Sequence, residues 1–203
     1  MSESESNSSQ SNRPSREQAV RLFAEELQQV VHEYTDGDGD YAPNYVLLPS
    51  GRNANRVFII GTLMEVEDIG EDDEYWRATI NDSTGNFMAY AGQYQEEAAA
   101  TLSQIEPPEF VAVTGKVKTF ETDEGDLLAN IRPETFEIVD EDHRDRWVVE
   151  TAEQTLDRLE AEPSEDIAAL LEEQYGEDLD DVQDSVREAV VRALENLQEN
   201  QED

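Results

Sequence analysis

Cysteine is absent from the 203 residues, which excludes disulfides, thiolate zinc sites and cysteine nucleophiles. Lysine occurs only as Lys116 and Lys118, and histidine only as His32 and His143, far apart in the chain. No hydrophobic run opens the sequence, and no apolar stretch approaches the ~20 residues of a membrane-spanning helix. Neither a signal peptide nor a span is therefore expected, and the chain reads as soluble and cytoplasmic. Positive charge is scarce throughout: 14 Lys and Arg stand against 50 Asp and Glu, a formal net charge of -36.

Such acidity has two readings. One is disorder or mimicry of nucleic acid. The other is the surface of a halophilic protein, where dense carboxylates keep the chain soluble at high salt and their mutual repulsion is screened. The acids here are spread along amphipathic elements rather than gathered in one tail, and an apolar fraction of 37% suffices for a core. The halophilic reading is favoured.

What is present is a dense run of strand signals. Val57 to Val66 is one apolar run, Tyr75 to Asn81 alternates, Asp82 to Gly85 is a turn, and Asn86 to Ala91 is a further strand. Gln95 to Ile105 has helical character, with Ala98, Ala99, Leu102 and Ile105 on one side. After Pro107-Pro108 come Phe110 to Phe120, a charged turn at Thr122 to Asp126, and Leu127 to Val139. Three strands, a helix and two more strands is the order of an OB-fold, a five-stranded Greek-key barrel that binds oligonucleotides across its second and third strands and two loops. The expected class is α+β, mainly β, with an N-terminal helix and a helical C-terminal extension. The expected divisions are a disordered tail at 1–14, a helix and lead-in loop at 15–56, the barrel at 57–140 and acidic helices at 141–203. Ser15 with Gln18 suggests a capping box for a first helix reaching about His32, with Val20, Phe23, Leu27, Val30 and Val31 along one face. Stripes over His143 to Glu160, Ser164 onward, and Leu179 to Leu197 mark three more helices, either a small subdomain or an arm for a partner.

Acids are missing where a ligand would be repelled by them. Tyr41 to Met64 has none, whereas the chain's average would place about six there. Ser83 to Gln95 and Phe110 to Phe120 are also free of acid, and the latter holds both lysines. Buried strands explain part of this, but Pro49 to Arg56 reads as a polar surface loop, where burial is not expected. Alternation places Lys116 and Lys118 outward if Val111, Val113 and Val117 point in, and Tyr75, Arg77 and Thr79 outward if Trp76, Ala78 and Ile80 point in. Phe87 and Tyr90 have opposite parity, so at most one fills the core. Local cations among aromatics, with acids cleared away, suit a salt-tolerant site for single strands. The candidates are Tyr75, Phe87, Tyr90 and Tyr94 for stacking, with Arg52, Arg56, Arg77, Lys116, Lys118 and Arg132 for phosphates.

Catalytic and metal signals are weak, and neither an enzyme nor a cofactor is expected. His143-Arg-Asp145 copies the opening of a kinase catalytic loop, but Glu150 stands where its asparagine belongs and no glycine-rich loop accompanies it. No phosphate-cradling G-x-x-x-x-G-K motif occurs. Asp36 to Asp40 opens like a calcium loop, yet its sixth position is Tyr41 and its twelfth Leu47, so it reads as a solvated loop.

Several longer strings carry a resemblance. Ala42-Pro-Asn-Tyr-Val-Leu-Leu-Pro49, Asn55-Arg-Val-Phe-Ile-Ile-Gly-Thr-Leu63, Tyr75-Trp-Arg77, Thr84-Gly85 with Tyr90-Ala-Gly-Gln-Tyr-Gln95, and Arg144-Asp-Arg-Trp-Val-Val-Glu-Thr-Ala152 resemble the haloarchaeal replication protein A-associated family over residues 15–160. The resemblance implies an OB-fold protein that works with a larger single-stranded-DNA-binding subunit in replication and repair, in a halophilic source. It supplies no established DNA-contacting residues. Two functions follow as expectations: direct binding of single-stranded DNA on the Tyr75–Tyr94 face, or an interaction module that supports the larger subunit without touching DNA. A decoy of nucleic acid is disfavoured, because a mimic would concentrate carboxylates on the face that is cleared.

Overall fold

The computed structural model describes residues 17–37 and 42–202. The Met1–Asn12 tail, the capping residue Ser15 and the middle of the calcium-like loop lie outside these.

The centre of the molecule is a closed barrel of five strands: β5 (Arg56–Asp68), β6 (Trp76–Asn81), β7 (Asn86–Ala91), β8 (Glu109–Glu121) and β9 (Leu127–Ile138). They follow β1 (Val20–Arg21), β2 (Glu33–Thr35), β3 (Asn44–Leu47) and β4 (Asn53–Ala54) in the chain. β5 is long enough to pair twice. Its first half runs antiparallel to β8, with Val57 opposite Gly115, and its second half antiparallel to β6, with Leu63 opposite Ile80. Two-sided pairing by one bent strand removes the sheet edges that an open arrangement would expose. A bulge at Met64 lets β5 bend and leaves that side chain 56% exposed. Closure on the other side is the parallel pairing of β7 with β9 at Ala89 and Ile131. Gly115 sits where β8 crosses closest to β9, since a Cβ there would meet the Arg132 carbonyl oxygen at 2.5 Å. The helix α2 (Glu96–Leu102) lies between β7 and β8 in the chain and buries Ala98 and Leu102. Inward residues such as Ile59, Ile80, Phe87, Val113 and Ile131 fill the interior. Strand order, helix position and alternation therefore match the sequence reading.

The N-terminal helix does not. Val20–Arg21 is a short strand parallel to β5, and the helix α1 covers only Ala24–Gln28. Its start is fixed from far away: Asp82 Oδ2, in the β6–β7 turn, accepts from the Ala24 amide at 2.7 Å. Asp82 Oδ1 accepts from the Thr84 and Gly85 amides at 2.9 and 3.1 Å, so one buried carboxylate orders both the turn and the helix. Burial pushes this carboxyl up, and the hydrogen bonds from Ala24, Thr84 and Gly85 oppose that. Val20, Phe23, Leu27 and Val30 are buried as expected, and so is Leu22, whereas Val31 is half exposed.

The C-terminal helices pack on the chain itself. In α3 (Glu141–Glu160), Asp140 caps the first turn by accepting from the His143 amide, and Trp147 meets Phe23 edge to face at 5.4 Å. The Trp147 indole N–H donates to the Phe58 carbonyl at 3.3 Å. α4 (Glu165–Tyr175) lays Leu171 and Tyr175 over Leu47, and α5 (Leu179–Glu202) adds Val190, Ala193 and Leu197 to the barrel's own core cluster.

Candidate nucleic-acid interface

Tyr75, Tyr90, Lys118, Phe120, Asn130 and Arg132 line a shallow groove of about 350 Å³ on the outer face of the barrel. Each arrives there for a traceable reason. Tyr90 points outward on β7 opposite Arg77, while its neighbours Ala89 and Ala91 are buried. Tyr75 precedes β6 and stacks on Tyr90 with centroids 5.9 Å apart and planes at 21°. Asp68 holds that ring in place through the backbone, accepting from the Tyr75 and Gly70 amides at 3.0 Å each. Those two bonds keep the Asp68 carboxyl below the usual carboxylate range, so the clasp persists through neutral pH and releases only in strong acid. Gly92 leaves room for the ring, because a Cβ there would meet Tyr75 Cδ2 at 2.8 Å.

The cations form a row. Arg56, Lys116 and Arg132 are register partners across β5, β8 and β9. Like charges placed directly opposite one another repel, so such a row is costly unless an anion sits on it. One does: an extra residue in β9, Glu134, bulges out and accepts from Arg56 Nε at 2.6 Å. Arg77 is likewise paired with Glu67. Among the described residues no ion pair involves Lys116, Lys118 or Arg132. A second groove of about 380 Å³, lined by Tyr94, Lys116, Arg132 and Glu134, meets the first at Arg132. Together they make a track from Tyr94, 85% exposed, over Lys116 and Arg132 to the stacked tyrosines.

No protein-family model matches the chain, and no curated protein matches its sequence. Among solved structures, one chain of the S. pombe Stn1–Ten1 complex aligns over 70% of this chain and 95% of its own, at 14% identity and a TM-score of 0.56. The barrel is an OB-fold. Weaker likenesses are an OBody bound to hen egg-white lysozyme (15% identity, 42% of this chain, 80% of that one, TM-score 0.36) and asparaginyl-tRNA synthetase from Pyrococcus horikoshii (19% identity, 50% of this chain, 30% of that one, TM-score 0.34).

In OB-fold terms, β6 and β7 are the second and third strands; the groove borders them through Tyr75 and Tyr90 and is otherwise lined from β8 and β9. The two flanking loops are not basic. The β5–β6 loop carries Glu71, Asp72, Asp73 and Glu74, and the β8–β9 hairpin carries Glu121, Asp123, Glu124 and Asp126, all exposed.

Four candidates line neither groove: Arg56 and Arg77, which are held in ion pairs, and Phe87 and Arg52. Phe87 is 1% exposed in the core, so its ring is not available for stacking; of the two residues of opposite parity, Tyr90 is the outer one. Arg52 is exposed in the β3–β4 turn, on neither groove. The acid-free loop around it is not open surface as expected. Pro49 and Ser50 are buried, Gln183 Nε2 donates to the Pro49 carbonyl, and Gly51 lies against Ile167 and Leu171. The scarcity of acids there reflects cover by the C-terminal helices. Phe120, missed by reasoning from charge, joins the groove because it is 47% exposed opposite Leu128 on the β8–β9 hairpin.

Glu134 shields the cation row, so Glu134→Gln is expected to tighten oligonucleotide binding roughly three- to tenfold at low salt. The gain should fade in molar salt, where exposed charges are screened. Fluorescence anisotropy at both salts measures it.

Proposed function

We propose that this chain is a single-stranded-DNA-binding accessory subunit of a replication protein A-type complex, acting in replication and repair in a salt-rich cytoplasm. It takes bases on Tyr75, Tyr90 and Tyr94 and phosphates on Lys116, Lys118 and Arg132, and it has no catalytic role. The observation that carries this reading is the stacked Tyr75–Tyr90 pair beside Lys118 and Arg132 in one groove. Base stacking contributes roughly 1–3 kcal/mol per base and survives salt. Long-range attraction to phosphate does not, since the Debye length falls to ~3 Å at 1 M. The resemblance to the haloarchaeal replication protein A-associated family points the same way.

A second reading has specific support. The acidic loops on both sides of the groove would repel a phosphate backbone in dilute salt, and the S. pombe chain of similar fold comes from a complex of two proteins. In that reading the OB-fold supports a larger subunit and leaves the DNA to it.

The deciding experiment is a titration of labelled oligo-dT with the isolated chain at roughly 0.1 M and roughly 2 M potassium chloride. Direct binding predicts affinity at high salt equal to or better than at low salt, because the loop carboxylates are then screened and stacking remains. A folded chain that binds at neither salt is an interaction module.

A further inference from the structure

The small sheet β2–β3–β4 carries an aromatic feature that shares no residue with the barrel grooves. Tyr34 and Tyr45 are register partners, and their rings stack at 5.7 Å and 23°. His32, two residues before Tyr34 and so on the same face, stacks on Tyr34 at 6.0 Å and 18°. The opposite face sends Val46 and Ala54 into the core. On the aromatic face Leu47 is roofed by Leu171 and Tyr175, and the roof ends there. The three rings beyond it are only partly covered. Among the described residues β2 pairs with β3 alone, so its outer edge has free backbone groups.

The surrounding charge selects what could lie on these rings. The Tyr45 hydroxyl donates to Glu17 Oε2 at 2.8 Å, and that bond, followed by burial and the nearby Glu17 and Asp36 charges, pushes the hydroxyl up to about 12. Burial first, then Asp36 and Glu17, raises the Tyr34 hydroxyl as well. Both carboxylates belong to exposed residues, and among the described residues no cation is paired with either. Electron-rich ring faces rimmed by carboxylates attract a cation and repel a phosphate.

We infer that the His32–Tyr34–Tyr45 ladder is a docking site for an extended, arginine-bearing segment of a protein partner, which lays a guanidinium on the exposed rings and pairs it with Glu17 and Asp36 along the open edge of β2. Arginine suits the site better than lysine because its planar group stacks on a ring while donating bidentate hydrogen bonds to a carboxylate. The extended form follows from the edge, which offers main-chain pairing to an added strand.

The probe is a short fluorescent peptide alternating arginine and serine, titrated against the full chain, with a citrulline version as the neutral control. The arginine peptide should bind on the order of tenfold tighter than the citrulline one. Tyr34→Leu should erase most of that margin, and so should the surface pair Glu17→Gln with Asp36→Asn, which removes no buried contact. Tyr45→Phe keeps the ring and should stay close to the parent chain. Lys118→Ala with Arg132→Ala, in the barrel groove, should leave the peptide unaffected. If both ladder variants bind the arginine peptide as the parent does, the attraction is diffuse and the site is refuted. If Tyr34→Leu weakens oligo-dT while sparing the peptide, the ladder belongs to nucleic acid and the inference is equally overturned.

Discussion

Arg158→Ala is expected to destabilise the fold by about 3–5 kcal/mol, the cost of leaving one partner of a buried ion pair alone. Glu26 on α1 is fully buried, and its Oε2 accepts from Arg158 Nη at 2.7 Å. The same guanidinium donates to Thr155 Oγ1 at 3.1 Å and to Ser50 Oγ at 3.3 Å. One side chain on α3 therefore ties α1 and the β3–β4 turn to the C-terminal helices. Removing it leaves a carboxylate in the core with no compensating charge. The double variant Glu26→Leu with Arg158→Leu removes both charges and should recover most of the loss, because the desolvation cost vanishes with them. Denaturant unfolding in molar potassium chloride measures both. Salt supplies a further control: the deficit of Arg158→Ala should persist at high salt, as a buried pair is little screened. Breaking the exposed Arg187–Asp184 pair should cost almost nothing at any salt. A deficit below about 1 kcal/mol in Arg158→Ala would mean that water already reaches Glu26.

The barrel was legible because its signals are local. Alternation in Tyr75 to Asn81, the Asp82–Gly85 turn and the apolar run from Val57 each declare themselves within a few residues. The elements that were misread answer to distant partners. Val20, Phe23, Leu27 and Val30 have helical spacing, but α1 starts only at Ala24 because Asp82, 58 residues on, caps it there. Pro49 to Arg56 looks like a cleared surface loop because its cover, Ile167, Leu171 and Gln183, lies more than a hundred residues downstream. The candidate site shows the same division. Alternation alone puts Lys116 and Lys118 outward. Arg132 falls opposite Lys116 because the hairpin runs in unbroken register from Glu121 and Leu127 to that pair. The extra residue Glu134 lies just beyond it and shifts only the pairing from Thr114 and Thr135 onward, without any strong mark in the sequence. The choice between Phe87 and Tyr90 needed the pleat of β7. The tyrosine ladder needed the pairing of β2 with β3, which brings together rings eleven residues apart.

Replacing Tyr75 and Tyr90 together by alanine is expected to reduce oligo-dT affinity by about a hundredfold, given roughly 1–3 kcal/mol per stacked base. The two rings form one stack, so their single effects should not add: removing either exposes the other to a changed geometry. Neither replacement empties the core, since Tyr75 is 37% exposed and Tyr90 points outward, so the barrel should remain folded by circular dichroism. The salt profile separates stacking from charge. Affinity lost with the tyrosines should be lost equally at low and molar salt, whereas affinity lost with Lys118→Ala and Arg132→Ala should be concentrated at low salt, where a cation's reach exceeds a few ångströms. The eight carboxylates of the flanking loops act over the same range with the opposite sign. In the parent chain the two long-range terms oppose each other, and salt removes both, leaving the rings. If the groove takes single strands directly as proposed, affinity in concentrated salt should equal or exceed that in dilute buffer. A folded Tyr75→Ala, Tyr90→Ala variant with undiminished affinity at molar salt would place the bases elsewhere on the molecule.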